Sequence, residues 1–405
     1  MFFKHVVDGF VEKGFLMVAY SFYLDPLFEL REIVMSPWKA AHPGDAFEEI
    51  DTPALVLDLD AFERNLARMQ KALEGSNMRL RPHAKSHKCP DIALRQIQQG
   101  AIGICCQKVS EAARFVEAGV QDVLITNQVV GAKKIGHVLD MAARATIGVL
   151  VDHPEQVAQF AQATSARKIT VDIYIEVDVG MGRCGAVSVA EVTALAQQIK
   201  AAPYLRFMGL QCYHGSAQHY REPEKRQAAI RQASEIAATM RAAIEKLGIK
   251  VERITGAGTG SVVLERDSGV FNEVQSGSYI FMDADYAKNH QGPQDIPFEH
   301  ALFVKTAVLS RPTATRAVVD AGLKASSVDS GLPVVWQMPG VEYTKASDEH
   351  GVLETAQANV PALGDSLLLV PGHCDPTVNL YDELICIRGG KVEAVWPIAA
   401  RGAAL

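Results

Sequence analysis

The stretch Arg81-Pro82-His83-Ala84-Lys85-Ser86-His87-Lys88-Cys89-Pro90 decides how this chain is read. It follows the short strand-like segment Met78-Arg79-Leu80 and sits at the end of a β/α unit. Such an end is where an α/β barrel builds its active site. Two histidines, two lysines and an arginine within one decamer are more charge than a packed core accepts. Lys85 is the candidate for covalent attachment of an aldehyde cofactor. A lysine that forms a Schiff base must lose its proton, and Arg81, His83, His87 and Lys88 nearby would depress its pKa. Taken alone, a lysine-rich decamer reads equally as a solvated basic loop, and Lys88 is a competing choice.

Outward from this stretch, continuous apolar strands alternate with helical patterns. Ala54–Leu57, Ile102–Cys106, Val123–Thr126, Ile147–Val151, Val171–Val177 and Phe207–Tyr213 read as strands. Ala61–Leu73 and Ser110–Ala118 read as helices. The clearest helix starts at Pro223, with Ile230, Ala233, Ile236, Met240, Ile244 and Leu247 on one stripe and Gly248 as a left-handed stop. Buried parallel strands with amphipathic connections predict a (β/α)₈ TIM barrel over residues 48–296. Beyond Pro297 the strands become short and are separated by Gly, Pro, Asp and Ser, which predicts a β-rich unit over 297–405.

Residues 1–47 do not share this organisation. The uncharged, aromatic-rich run Gly14–Leu24 is cut off by Asp25, too short to span a bilayer. Met35 opens a plainer lead-in, so residues 1–34 read either as an upstream extension or as a helix packed on a partner subunit. The chain has 405 residues, 48% of them apolar and 21% charged, which suits a globular enzyme of two domains. Its formal net charge of −7 argues against a nucleic-acid or anionic-membrane partner, either of which would want a basic face. Seven cysteines without a CxxC pair fit a reducing cytoplasm.

Four further motifs carry chemistry. The glycine run Thr255-Gly256-Ala257-Gly258-Thr259-Gly260-Ser261 follows the strand Val251–Ile254. Converging backbone N–H groups and two hydroxyls there suit a phosphate monoester better than a nucleotide, since neither nucleotide-binding fingerprint is present. Gln275-Ser276-Gly277-Ser278-Tyr279 is placed to close the same pocket. The segment from Glu176 to Gly185 ends a strand in acids and presents Arg183 between glycines, either as a surface ion pair or against an aromatic ring nitrogen. Tyr213-His214-Gly215-Ser216-Ala217-Gln218-His219 ends the next strand, and either histidine reads as a buried structural group or as a catalytic one. Finally, in Pro371-Gly372-His373-Cys374-Asp375-Pro376-Thr377 an extended backbone would point His373 and Asp375 the same way, an imidazole and a carboxylate suited to Mn²⁺ or an ion of similar hardness. Asp348-Glu349-His350 is the candidate to brace them.

Together these motifs resemble the D-threonine aldolase family, related to D-serine dehydratases and more remotely to alanine racemases. The likeness runs from Asp51 to Gly402. It implies a fold-type III enzyme: a barrel binding pyridoxal 5′-phosphate (PLP), then a β-rich metal-binding domain. It implies PLP on Lys85, its phosphate at Gly258, Thr259, Gly260 and Ser261, and contacts from Arg183 and Tyr213; Gln275 and Tyr279, from the block placed to close the same pocket, are expected to touch the cofactor as well. It further implies proton handling by His219 and a divalent metal, Mn²⁺ with Mg²⁺ or Co²⁺ as alternatives, on His373 and Asp375. The expected reaction is retro-aldol cleavage of D-threonine or D-allo-threonine to glycine and an aldehyde. The Pro371–Thr377 stretch also resembles 3-hydroxy-D-aspartate aldolases, and D-serine or D-3-hydroxyaspartate dehydration is a further alternative. Asp375, where the dehydratases resemble a cysteine, favours the aldolase side. Members of the family resemble head-to-tail homodimers, so a dimer acting on a small amino acid is expected.

Overall fold

A computed structural model describes residues 38–357 and 360–405. The expectation for residues 1–34 lies outside the described residues. The chain runs β1 (Ala54–Asp58), α1 (Leu59–Leu73), β2 (Arg79–Leu80), α2 (Pro90–Gln98), β3 (Ile104–Cys106), α3 (Val109–Glu117), β4 (Asp122–Gln128), α4 (Ala132–Ala142) and β5 (Thr146–Val151). It continues with α5 (Pro154–Arg167), β6 (Val171–Glu176), α6 (Val189–Ala201), β7 (Leu205–Gln211), α7 (Pro223–Glu245), β8 (Arg253–Gly256), α8 (Val262–Asp267) and β9 (Glu273–Val274). Strands β2 to β9 form one parallel sheet in the order β2-β9-β8-β7-β6-β5-β4-β3. The ring is closed by a parallel bridge between His83 and Cys105, with Cys105 N donating to Pro82 O at 2.9 Å and Ile102 N to Leu80 O at 2.9 Å. This is the expected eight-stranded barrel.

Local sequence explains the helices. Asp58 caps α1 by accepting from Asp60 N and Ala61 N, and Ser188 and Glu191 form a reciprocal capping box on α6. α7 opens on Pro223 and buries Ile230, Ala233, Met240 and Ile244, while Gly248 takes φ 73° after its end. Leu247, expected on the buried stripe, lies past the last helical residue and is exposed.

One strand sits elsewhere than expected. β1, read as the opening strand of the barrel, pairs antiparallel with β10 (Leu302–Thr313) and parallel with β16 (Glu383–Arg388). It is therefore a central strand of the second sheet, which both ends of the chain build. Leu55 and Leu57 face the main core, while Ala54 and Val56 face a small cluster with Ala41, Ile50, Ile385 and Val392. A central strand covered on both faces is as uniformly apolar as a barrel strand, so pattern alone could not separate them.

The rest of that sheet comprises β11 (Arg316–Val319), β12 (Val334–Val335), β13 (Val341–Ala346), β14 (Gly351–Thr355), β15 (Ser366–Val370) and β17 (Lys391–Pro397). Two short helices, α9 (Ala284–Ala287) and α10 (Cys374–Val378), lie at the junction of the two units. Backbone bonds from Ala284 N to Pro371 O (2.9 Å) and Asp285 N to Gly372 O (3.2 Å) stitch them together.

Candidate active site

A cavity of about 320 Å³ opens at the C-terminal ends of the barrel strands. His83, Lys85, Thr126, Arg183, Tyr213, His219, Thr259, Gln275, Ser278 and Tyr286 are among the residues that line it. Each follows or ends a strand, because successive parallel strands deliver their trailing loops to the same rim.

The charged decamer resolves into separate jobs. Arg81 is buried in the barrel, its Nε 3.1 Å from Glu273 Oε1 and its Nη1 on Asp122. His87 is buried, with Nδ1 accepting from Cys89 N at 3.1 Å, and burial pushes it down to about 3. Lys88 turns away on a left-handed backbone (φ 51°) and gives its Nζ to the buried Glu111 at 2.8 Å. His83 places Nε2 2.9 Å from Thr126 Oγ1. Its burial, then the charge of Lys85, lowers it to about 3, so the ring is neutral. Lys85 alone of the two lysines enters the cavity, on a short 3₁₀ turn, Ala84–Ser86.

The electrostatic expectation for Lys85 is corrected here. Its cationic neighbours are engaged elsewhere or neutral, and its Nζ forms an ion pair with Asp375, 290 residues away. Burial opposes the ammonium, but the Asp375 carboxylate outweighs it and raises Lys85 above the ordinary lysine value. Asp375 in turn is held below the usual carboxylate range: burial opposes its charge, and Lys85 and His373 overcome that.

The glycine run splits between two hollows. Ala257, Gly258 and Thr259 line the main cavity, while Gly260 and Ser261 line a smaller neighbour with Arg226 and Asn289. Gln218 braces the turn: Nε2 donates to Ser261 Oγ at 2.7 Å and Oε1 accepts from Gly260 N at 3.0 Å. A Cβ on Gly258 would lie 2.3 Å from Gln218 Oε1, so only glycine fits against this brace. Thr259 Oγ1 is buried without a hydrogen-bond partner among the described residues, a donor held ready for an acceptor in the cavity.

Gln275 reaches the cavity wall, donating to Gln211 Oε1 at 2.7 Å and Thr255 Oγ1 at 2.8 Å. Tyr279 does not. It is fully buried against Phe298 and its hydroxyl accepts from Gln96 Nε2 at 3.1 Å. The 3₁₀ turn Ser278–Ile280 points its ring into the core, and Tyr286 supplies the cavity's aromatic wall instead. Arg183 stands on a turn whose Gly180 and Gly182 N–H groups donate to Asp178 Oδ1 at 2.9 and 3.1 Å. Its guanidinium is half-exposed, 4.0 Å from Glu176 Oε1. Tyr213 lines the cavity.

The two histidines after β7 part company. His214 packs under Gly180, where a Cβ would come within 2.8 Å of its Nε2. His219 reaches the cavity, its Nδ1 2.6 Å from Asp285 Oδ2 and its ring 5.7 Å from that of Tyr286.

His373 and Asp375 are not on an extended segment, as the spacing argument assumed. His373 is the N-cap of α10 and Asp375 lies in its first turn. They still lie near enough for the charge of His373 to act on Asp375. His373 Nδ1 is 2.8 Å from Asp329 Oδ2, which leaves Nε2 as the ring nitrogen free to meet another partner. The brace is thus Asp329 and not Asp348-Glu349-His350, where Glu349 pairs with the exposed Lys324 and His350 O accepts from Ser347 N at 2.9 Å. Among the described residues, one group of three donor atoms lies within 4.8 Å: Asp152, Glu176 and Cys184. Their oxygens are already engaged by Gln128, Gln156 and Gly185 N.

The donor set fits a phosphorylated aldehyde: an amine on Lys85, an orphaned hydroxyl on Thr259 beside a glycine turn, a phenol on Tyr213 and a guanidinium on Arg183. An oriented imidazole beside a carboxylate fits a divalent ion. Sequence reasoning missed Asp285, Asp329, Gln218 and Tyr286. The first and last sit in Asp283-Ala284-Asp285-Tyr286, directly beyond the Gln275–Tyr279 block, where two acids and a tyrosine in four residues were the available signal.

Comparison with known proteins agrees with this architecture. Residues 57–285 match the family model described as alanine racemase, N-terminal domain, and residues 301–387 match a serine dehydratase domain model. A D-threonine aldolase from an Arthrobacter species is 48% identical over 92% of this chain and 98% of its own. A 3-hydroxy-D-aspartate aldolase from Paracoccus denitrificans is 44% identical over 89% of this chain and 95% of its own. The crystal structure of D-threonine aldolase from Filomicrobium marinum superposes with a TM-score of 0.89 at 47% identity, covering 91% of this chain and 100% of that one.

Proposed function

The chain belongs to the D-threonine aldolase family, and on that premise we propose that it cleaves the Cα–Cβ bond of D-threonine and D-allo-threonine, releasing glycine and acetaldehyde. It is a PLP-dependent aldehyde-lyase by that membership. The observation that carries the site assignment is the Lys85–Asp375 ion pair, which joins the amine that lines the barrel's cavity to a carboxylate of the β-rich unit. Lys85 would hold PLP covalently, Thr259 and the Gly258–Ser261 turn its phosphate, and Tyr213, Arg183 and Gln275 its ring surroundings. His373 and Asp375 would hold a divalent metal, with Mn²⁺ the ion their hardness suits best. When bound, the cofactor supplies an electron sink for Cα and the metal a Lewis acid for the β-oxygen.

The chain's own part is positioning and proton transfer. His219 takes the proton of the substrate β-hydroxyl at Nε2. The O–H electron pair then becomes the second C–O bond of the leaving aldehyde as Cα–Cβ breaks, and Cα gains a proton to become glycine. The neutral His83 and the wall of Tyr213, Thr126 and Tyr286 orient the substrate and limit water. Seven unpaired cysteines support a reducing cytoplasm, and among the described residues no helix is long and apolar enough to cross a membrane. We read the active form as a homodimer, by likeness to the family.

A second reading, 3-hydroxy-D-aspartate cleaved to glycine and glyoxylate, draws on Arg183, whose loosely held guanidinium is available to a second carboxylate. A product assay across D-threonine, D-allo-threonine, D-phenylserine and D-3-hydroxyaspartate, with and without Mn²⁺, tests both. Glycine with acetaldehyde supports the first reading. Oxo acids with ammonia and no glycine would overturn both.

Thr259→Val tests the cofactor cradle separately. Because Thr259 Oγ1 has no partner among the described residues, the substitution should leave apo-protein stability unchanged or slightly raised. It should weaken PLP binding about tenfold, the loss of one hydrogen bond to a charged group. Thermal melts and cofactor titration by absorbance measure the two effects.

A further inference from the structure

An imidazole that is to accept a proton must have the right nitrogen free, and an isolated neutral histidine can carry its hydrogen on either. The surroundings of His219 remove that choice. Nδ1 faces Asp285 Oδ2 at 2.6 Å, and a carboxylate only accepts, so Nδ1 carries the hydrogen and Nε2 keeps its lone pair. Asp285 is itself fixed from behind. It is buried, its other oxygen is paired with Arg221, and Arg221 Nη1 donates to Asp285 O and Asn289 Oδ1, both at 2.7 Å. Burial opposes the charge on Asp285, but Arg221 and then His219 outweigh it and hold the carboxyl below its usual range.

We propose that Asp285 is a positioning residue for the lyase reaction: it fixes the His219 tautomer that offers Nε2 to the substrate β-hydroxyl, with Arg221 aligning the carboxylate. The inference rests on His219 being the base. When Nε2 takes the hydroxyl proton, the imidazole becomes a cation, and the adjoining carboxylate stabilises it without itself taking the proton. The same short segment sets the reach of the base toward the opposite wall. Ala284 N and Asp285 N are bonded to Pro371 O and Gly372 O, and Asp283 Oδ2 accepts from Cys374 N at 3.0 Å. α9 therefore holds His219, through Asp285, in fixed relation to the start of α10, where His373 is the N-cap and Asp375 lies in the first turn.

The test is Asp285→Asn in the PLP- and Mn²⁺-loaded full chain. Arg221 only donates, so it draws the amide oxygen toward itself and turns the amide NH₂ toward His219 Nδ1. That selects the opposite tautomer and blocks Nε2. kcat should fall about a hundredfold or more while KM stays within about twofold. The cofactor's visible absorbance and the Mn²⁺ affinity should not move, which a merely structural role would disturb. Asp285→Glu, which keeps the carboxylate, should recover part of the rate and serves as the second variant should the asparagine fail to fold. His219→Ala with Asp285→Asn should be no slower than His219→Ala alone. Unchanged kcat in Asp285→Asn, or losses that multiply in the double variant, would overturn the role of Asp285 while glycine release by the unmodified protein leaves the function standing. Absence of glycine release from the unmodified protein overturns the function and this role together.

Discussion

Lys85→Ala should abolish the visible absorbance of the lysine-bound cofactor and lower turnover by about a thousandfold or more, with the fold retained. Among the described residues that line the cavity, no other lysine is present. Lys88, three residues on, is turned away by its left-handed backbone and anchored to the buried Glu111 at 2.8 Å. Lys85→Arg separates the two things Lys85 does. Arginine keeps a cation beside Asp375 but cannot condense with an aldehyde, so it should be as inactive as alanine while preserving the ion pair's contribution to stability. Absorbance spectra, product assays and thermal melts on the two variants read out these differences. A visible band that survives in Lys85→Ala would move the attachment to another lysine and dismantle the assignment.

Removal of the metal is the second large effect. Exhaustive dialysis against EDTA should reduce turnover to background, and Mn²⁺ should restore it, since an alkoxide at the β-carbon is otherwise inaccessible at neutral pH. The two proposed ligands have different second partners, which makes their variants informative. Asp375→Ala removes both a ligand and the partner of Lys85. His373→Ala removes a ligand and leaves that ion pair in place. Both should weaken Mn²⁺ binding by more than about a hundredfold, while Asp329→Ala, which only orients His373, should cost about ten- to a hundredfold. Calorimetric titration measures the affinities. Full activity after chelation, or Mn²⁺ affinity untouched in His373→Ala, would sink the metal assignment.

The barrel was legible because its strands are uniformly apolar and its helices amphipathic, and both are properties of neighbouring residues. The motif positions were legible for a related reason. Glycines, histidines and charges gathered at strand ends interrupt the apolar runs, so they mark loops at the rim of the barrel, even though Arg81, His87 and His214 turn out to be buried there. The misreadings share a cause as well. β1 was misplaced because the pairing partners of a strand are hundreds of residues away. Tyr279 was placed at the cofactor because a turn of one 3₁₀ step decides which of the neighbouring tyrosines, Tyr279 or Tyr286, faces inward. Lys85 was given a depressed pKa from its neighbours in sequence, whereas burial lowers it and the ion pair with Asp375, 290 residues away, outweighs that and raises it.

By itself, then, the sequence determined the alternation that makes the barrel, the β-rich unit that follows, and the kinds of chemistry each motif can do, because these depend on residue types and short spacings. Tertiary structure decided which lysine reaches the cavity, that His219 and not His214 does, and that Asp285 and Asp329 are the hydrogen-bond partners of His219 and His373. It also decided that β1 joins the second sheet. The reason is physical: a hydrogen bond or ion pair at 3 Å depends on where the fold brings two side chains, and nothing within a few residues of either records its partner.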